Sequence, residues 1–225
     1  MSYKTSPSTH PSLPSTPALS SVSPLPPSPS AIPALRIMWA ELGEDIDRYC
    51  YLKNSFPLKA VIGNPGLWVL IQYRVSRWVH YYFHVPLLRP VLKLVCAIWQ
   101  KVVEVATGVE LPNRAEVGGG LFMPHANGIV IHVDAKIGRN CNIGQQVTVG
   151  VGGDPMGTPT IGDRVFLGPG VKVLGPLTIG DDVAVGANAV VVKDVPAYAV
   201  AVGIPAKVIS SKGSMNLVRY RGCPH

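Results

Sequence analysis

Residues 161–191 read IGDRVFLGPGVKVLGPLTIGDDVAVGANAVV, and their period is six. Ile161, Leu167, Val173, Ile179, Val185 and Val191 stand six positions apart, and Gly follows the aliphatic residue at 162, 168, 180 and 186. Upstream the same spacing runs through Leu111, Val117 and Met123, slips by two residues to Ile131, and resumes at Ile137, Ile143 and Val149. Four places after the aliphatic comes a small or β-branched residue, as at Ala115, Ala135, Cys141, Val147, Val165, Val171, Val183 and Ala189.

A period of six suits neither a helix nor a half-buried strand, whose faces repeat every 3.6 and every two residues. An antiparallel β-sandwich would also need turns about every 8–12 residues. The spacing instead predicts a mainly β fold, a left-handed parallel β-helix of hexapeptide repeats. Each unit forms one flat side of a triangular coil, with its aliphatic residue pointing inward onto the equivalent residue of the next coil. A small residue at the fifth position fits the tight interior, and Gly at the second is read as serving the unusual backbone angles of a corner. No coil buries its face alone, so about a dozen repeats must stack together. One stretch, GVGGDPMGTPT at 150–160, breaks the pattern but keeps the frame. It reads as a loop thrown out from a coil, and such loops on rigid scaffolds tend to carry function.

Working outward, four regions are expected: a disordered Ser/Pro-rich segment over 1–34, an α-helical region over 35–109, the β-helix over 110–209, and a basic tail over 210–225. The first has too little apolar bulk to offset its chain entropy. In the second, helices are expected over 36–53, 67–83 and from Pro86 or Pro90 to Thr107. Asn64-Pro65-Gly66 supplies a cap and an N-terminal proline, and Gly108 a stop. The last two helices interleave Trp, Tyr, Val and Leu with Arg74, Arg77, Arg89, Lys93 and Lys101. Neither offers 18 uninterrupted apolar residues, so packing against another domain or subunit is favoured over a membrane span, with peripheral membrane contact as the alternative.

Composition agrees with a coil-rich fold: charged residues make up 15%, with 23 Gly and 22 Pro. A formal net charge of +7 allows anionic partners. The basic residues are dispersed and no recognition motif appears, which argues against nucleic acid. Cys50, Cys96, Cys141 and Cys223 are scattered without zinc-like spacing, as expected for reduced thiols in a cytoplasmic protein. Cys141 falls at a small-residue repeat position and reads as core. His80 and His84 have the i,i+4 spacing of a metal pair, but on an aromatic helix they read as packing, and no metal is expected.

The stretches GVELPNRAEVGGGLFMPHANGIVIHVDAKIG (108–138), QVTVGVGG (146–153), 159–196 and VGIPAKVI (202–209), with NPGLWVLIQYRVSRWVH (64–80) upstream, resemble the serine acetyltransferase family of hexapeptide acyltransferases over residues 56–209. The resemblance implies acetyl transfer from acetyl-CoA to a hydroxyl without a covalent acyl-enzyme. A hydroxyl needs a positioned base to take its proton as it attacks a thioester. His125, at the two-residue slip, matches the family's catalytic histidine, and Glu110 falls where the family carries the carboxylate that orients it. Amides of Gly152 and Gly153 are candidates for the thioester oxygen and pantetheine, and Lys193 and Lys207 for the cofactor's phosphates. His132 reads as structural.

The match has gaps. Pro124 stands where the family has an aspartate that contacts the serine amino group, and Thr158 where it has a second histidine in the loop. The tail ends Pro224-His225 rather than in the isoleucine that docks into cysteine synthase, so that docking is not expected. Two acceptors therefore stay open: L-serine, giving O-acetylserine, and a sugar hydroxyl in surface polysaccharide biosynthesis near the inner membrane surface. A zinc carbonic anhydrase would need three coil histidines, and only His125 and His132 are present. An inactive trimeric scaffold is the remaining alternative; a homotrimer or a dimer of trimers is the expected assembly.

Overall fold

The computed structural model describes residues 31–223. Four helices come first: α1 (Ala31–Lys53), α2 (Pro57–Gly63), α3 (Pro65–Tyr82) and α4 (Arg89–Thr107). A three-sided parallel β-helix follows. One side stacks β1 (Val109–Glu110), β3 (Ile129–Ile131), β6 (Thr148–Gly150), β9 (Lys172–Leu174) and β12 (Val190–Val191). The second stacks β2 (Glu116–Val117), β4 (Lys136–Ile137), β7 (Thr160–Ile161) and β10 (Thr178–Ile179). The third stacks β5 (Asn142–Ile143), β8 (Phe166–Leu167), β11 (Ala184–Val185), β13 (Val200–Val202) and, antiparallel at its edge, β14 (Lys207–Ser210).

Every aliphatic repeat residue from Leu111 to Val191 is buried, and so is every small residue at the fifth position. The register records each irregularity. Thr160, Phe166 and Lys172 pair with Thr178, Ala184 and Val190, a full coil of eighteen residues. Glu116 pairs with Lys136, twenty residues on, so the slip before Ile131 lengthens the first coil by two. Lys136 pairs with Thr160, twenty-four residues on, so the loop after Val149 adds one whole repeat and leaves the stacking below in phase.

The repeat glycines serve a different need from the one the sequence suggests. Gly138, Gly144, Gly162, Gly168 and Gly180 are not in the left-handed region. That region is taken two residues later, by Gly120, Asn140, Gln146, Arg164, Gly170, Asp182 and Asn188. What the second position requires is closeness between coils: a Cβ on Gly144 would lie 2.6 Å from the backbone nitrogen of Pro169.

The helices also depart from expectation. The first begins at Ala31, five residues before the expected start, because Pro33 is compatible with a first turn. Residues 31–34 are thus helical, and the rest of the expected disordered segment lies outside the described residues, as do Pro224 and His225. The short helix α2 was not anticipated. Asn64 precedes α3 without a side-chain cap; its Nδ2 donates instead to Ala60 O at 2.7 Å. Pro65 opens α3 and Gly108 ends α4 in the left-handed conformation, as expected. No helix of the described residues is long and apolar enough to cross a membrane.

A parallel β-helix leaves its first coil with main-chain groups that have no coil above them, and here α1 and α3 satisfy them with side chains. Tyr73 Oη donates to Ala115 O at 2.7 Å and accepts from Val117 N at 3.2 Å. Arg74 donates to Val117 O and Gly118 O at 2.6 and 2.7 Å. Asp45 accepts from the amides of Gly120 and Leu121 at 2.7 and 3.1 Å. Tyr49 Oη donates to Met123 O and accepts from Met123 N at 3.1 and 3.0 Å. Arg74 and Asp45 are themselves ion-paired at 3.0 Å and almost fully buried, with Glu41 2.9 Å from the same guanidinium. Burial opposes the Arg74 charge, but the two carboxylates outweigh it and hold its pKa above the ordinary value. Arg48 donates to Cys141 O, Gly120 O and Asn142 Oδ1, and burial pulls its pKa down to about 10.

The tail returns along the third side. Ser214 Oγ donates to Arg164 O, Asn142 Nδ2 to Leu217 O at 3.1 Å, and Arg221 pairs with Asp47 of α1 at 3.0 Å. It thus ties the last coils to the first helix.

Removing one member of the cap strands the others. Asp45→Ala should lower unfolding free energy by about 3–5 kcal/mol, because two buried amides lose their acceptor and the buried Arg74 guanidinium keeps only the more exposed Glu41 as a counter-charge. Tyr73→Phe should cost only about 1–3 kcal/mol. Equal losses in denaturant titrations would refute this ranking. Gly144→Ala should destabilise by about 1–3 kcal/mol from overlap with the next coil, and a neutral result would remove the close-approach explanation.

Candidate functional site

The two-residue lengthening of the first coil falls between Met123 and Ile129, and it places His125 in an exposed turn leading into β3. The turn is fixed at both ends. Upstream, Tyr49 Oη holds both the amide and the carbonyl of Met123. Downstream, Asn127 O accepts from Gln146 N at 2.9 Å. Helix α3 can come this close only because residue 66 is glycine: a Cβ there would lie 2.2 Å from Tyr49 Oη and 2.7 Å from Met123 O. Tyr49, Gly66 and Gln146 support the site without any local signal in the sequence. The contact from Tyr49 spans 74 residues, and no motif marks either partner.

Glu110 lies on β1, exposed on the outer face of the first side, where its Cα partner is Val130 of β3. It is therefore one coil before the strand that His125 leads into. Within the single chain no hydrogen bond joins Glu110 to His125.

The interrupted repeat forms a small closed hairpin. Gly152 and Gly157 exchange two main-chain hydrogen bonds of 3.1 Å, enclosing residues 153–156. Thr158 Oγ1 anchors the base of the loop by donating to Asp134 O at 3.2 Å. The amide of Gly152 is thus engaged within the hairpin, by Gly157 O. That of Gly153 has no hydrogen-bond partner among the described residues.

Below the hairpin runs an open groove of about 760 Å³, lined by 151–154, 174–177 and 192–194. Gly152, Gly153 and Lys193 line it together, whereas Lys207 does not, because it sits on β14 at the edge of the third side. The groove follows the strands β6, β9 and β12, while the His125 turn precedes β3. His125 and the groove thus occupy opposite ends of the first side.

The other histidines have local roles. His132 Nδ1 accepts from Asp134 N at 3.2 Å, which makes it a turn residue. His84 Nδ1 lies 2.7 Å from Tyr82 O, and His80 packs edge-on against Tyr81. Among the described residues no group of three or more His, Cys, Asp or Glu is arranged to hold a metal ion. Cys141 is a core residue, and burial pushes its thiol up to about 12.

Comparison with known proteins gives a consistent pattern. The family model for bacterial transferase hexapeptide (six repeats) matches residues 158–193. The serine acetyltransferase of Synechococcus elongatus is 37% identical over 158 residues, covering 69% of this chain and 62% of that protein. That of Helicobacter pylori strain J99 is 38% identical over 151 residues, covering 65% of this chain and 82% of that protein. The chain thus spans less than two thirds of the Synechococcus relative and most of the Helicobacter one. Among solved structures, Neisseria gonorrhoeae serine acetyltransferase in complex with serine matches with a TM-score of 0.67 and 26% identity, over 80% of this chain and 72% of that chain. A serine acetyltransferase complex with CoA matches with a TM-score of 0.65 and 27% identity, over 80% of this chain and 72% of that one.

Proposed function

The chain belongs to the serine acetyltransferase family of hexapeptide-repeat O-acetyltransferases, and from that premise we propose that it transfers acetyl from acetyl-CoA to the hydroxyl of L-serine, giving O-acetylserine and CoA. The observation that carries this reading is the exposed His125 turn, held at one end by Tyr49 and at the other by Gln146. A general base needs that fixed placement, because proton transfer tolerates little error in distance.

In this reading a His125 ring nitrogen takes the hydroxyl proton as the oxygen attacks the thioester carbonyl. The carbonyl oxygen gains charge, and the Gly153 amide is the donor available to meet it. Collapse of the tetrahedral intermediate breaks the C–S bond, and the imidazolium returns its proton to the departing thiolate. Glu110 orients the imidazole and stabilises its charged form. Lys193 meets a phosphate of the cofactor at the groove's edge. The reaction belongs in the cytoplasm, a compartment that suits the thiols of Cys50, Cys96 and Cys141.

The separation of base and groove calls for more than one copy. A three-residue strand spans about 10 Å, too far for His125 to serve a thioester held in the groove of its own chain. A neighbouring chain that sets its groove beside the His125 turn completes the site, as in a homotrimer.

One observation favours a second acceptor. Pro124 offers no charge beside His125 for an amino group, and Thr158 donates to a main-chain carbonyl rather than toward a substrate. An acceptor without a charged amine, such as a sugar hydroxyl, avoids that deficit.

His125→Ala should reduce kcat/KM for acetyl-CoA turnover about 100- to 10,000-fold while fold and assembly are kept. More than a tenth of the activity remaining would exclude His125 as the base. L-serine and a panel of sugars, each supplied with the wild-type chain, decide the acceptor; turnover with sugars alone overturns the serine reading. Lys193→Ala should raise KM for acetyl-CoA roughly tenfold with kcat unchanged. An unchanged KM would remove Lys193 from the cofactor site.

A further inference from the structure

Between Asp47 and Glu104 the chain carries no Asp or Glu, yet eight Lys and Arg fall there, from Arg48 to Lys101. Some of them are neutralised from the flanks: Glu41 and Asp45 pair with Arg74, and Glu104 with Lys101. Arg89 and Lys93 pair with no carboxylate of the described residues. Both lie beside the turn that joins α3 to α4. Arg89 Nη2 donates to His80 O at 3.2 Å, and its Nε is buried without a hydrogen-bond partner. Burial, and then the charges of Lys93 and Arg89, hold the His80 imidazole below its ordinary pKa, so the three groups form one cluster.

The turn between the helices is apolar. Val85 is 51% and Leu87 90% exposed, with Tyr81 beside them at 39%. Helix α3 crosses the open end of the β-helix, from Gly66 against Met123 to Arg77, which donates to Asn113 O and Ala115 O at 2.9 and 2.8 Å. It runs on past that corner to Tyr82, so the turn overhangs the coil at a different corner from His125.

We infer that this turn is a membrane-docking site, in which Val85 and Leu87 enter the surface of an anionic bilayer while Arg89 and Lys93 meet lipid phosphates. The order of the two kinds of group selects the partner. Nucleic acid is held by cations that reach its phosphates first. Here a leucine stands outermost and the cations stand behind it. An apolar side chain placed that way sinks just below the headgroups and leaves the basic groups at phosphate level. Tyr81 suits the same depth, because its ring is apolar and its hydroxyl wet. Arg77, 5.4 Å over that ring, adds a further positive charge. No helix of the described residues is long and apolar enough to cross a membrane, so the contact is peripheral. The inference does not rest on the acetyl-transfer reading, and its test reads partition rather than turnover.

The experiment is flotation of the full chain with mixed phosphatidylglycerol and phosphatidylcholine vesicles, against phosphatidylcholine vesicles alone. The wild type is expected to float with the anionic vesicles only, and to be released as salt rises. Leu87→Asp/Lys93→Glu should partition at least about tenfold more weakly, with circular dichroism and melting unchanged. Leu87→Asp alone, at a position with little packing to lose, should already weaken flotation. Lys93→Arg keeps the charge and should float as the wild type does, which separates a lost contact from misfolding. A wild type that stays in solution, or that floats equally with neutral vesicles, overturns the site. So does a double variant that floats as well as the wild type. Retention of the wild type on heparin without flotation would assign the cations to a soluble polyanion instead.

Discussion

A β-helix is stable in its middle and exposed at its ends, and the hydrogen-bonding demand of its first coil shapes the rest of this molecule. Each internal strand has neighbours that satisfy its amides and carbonyls; the first has one on a single side. Here the missing neighbour is replaced by side chains. Tyr73, Arg74, Asp45 and Tyr49 meet the main-chain groups between Ala115 and Met123. The arrangement requires a buried ion pair, and it fixes two helices in one orientation against the coil. The contact that ends this series, Tyr49 on Met123, is also the one that holds the turn bearing His125.

That shared contact links stability to the placement of His125. His125 projects from a departure in an otherwise regular coil, and a departure needs support from outside the repeat. Tyr49 gives it from α1 and Gln146 from the coil below, while Gly66 makes room for α3. The tail adds a further restraint through Arg221 and Asp47. Site geometry therefore depends on the helical region even though no helical residue is assigned to the reaction.

What could be read in advance follows from how the information is stored. The repeat was legible because each six residues make the same statement, so Ile161, Leu167 and Val173 support one another and single errors average out. His125 stands out in the sequence because it sits at an interruption within a motif. The cap was not. Asp45 and Gly120 lie 75 residues apart, and an aspartate in a helix looks the same whether it faces water or a buried arginine. The repeat glycines were seen but given the wrong cause, because both a left-handed backbone and close coil contact select glycine. Helix α2, seven residues long, is too short for its periodicity to stand out. Lys193 and Lys207 looked equivalent in sequence, and only the path of the coil separates them.

The hairpin at Gly152 has a consequence beyond this one chain. Because it adds one whole repeat between Lys136 and Thr160, the coils beneath it keep their phase, and the core does not register its presence. Length changes there in units of six are structurally silent, whereas a change of two, as at the His125 turn, must be braced by other elements. The scaffold thus separates what can drift from what cannot. Over evolutionary time the wall of the groove can be recut, while His125 stays where three distant residues hold its turn.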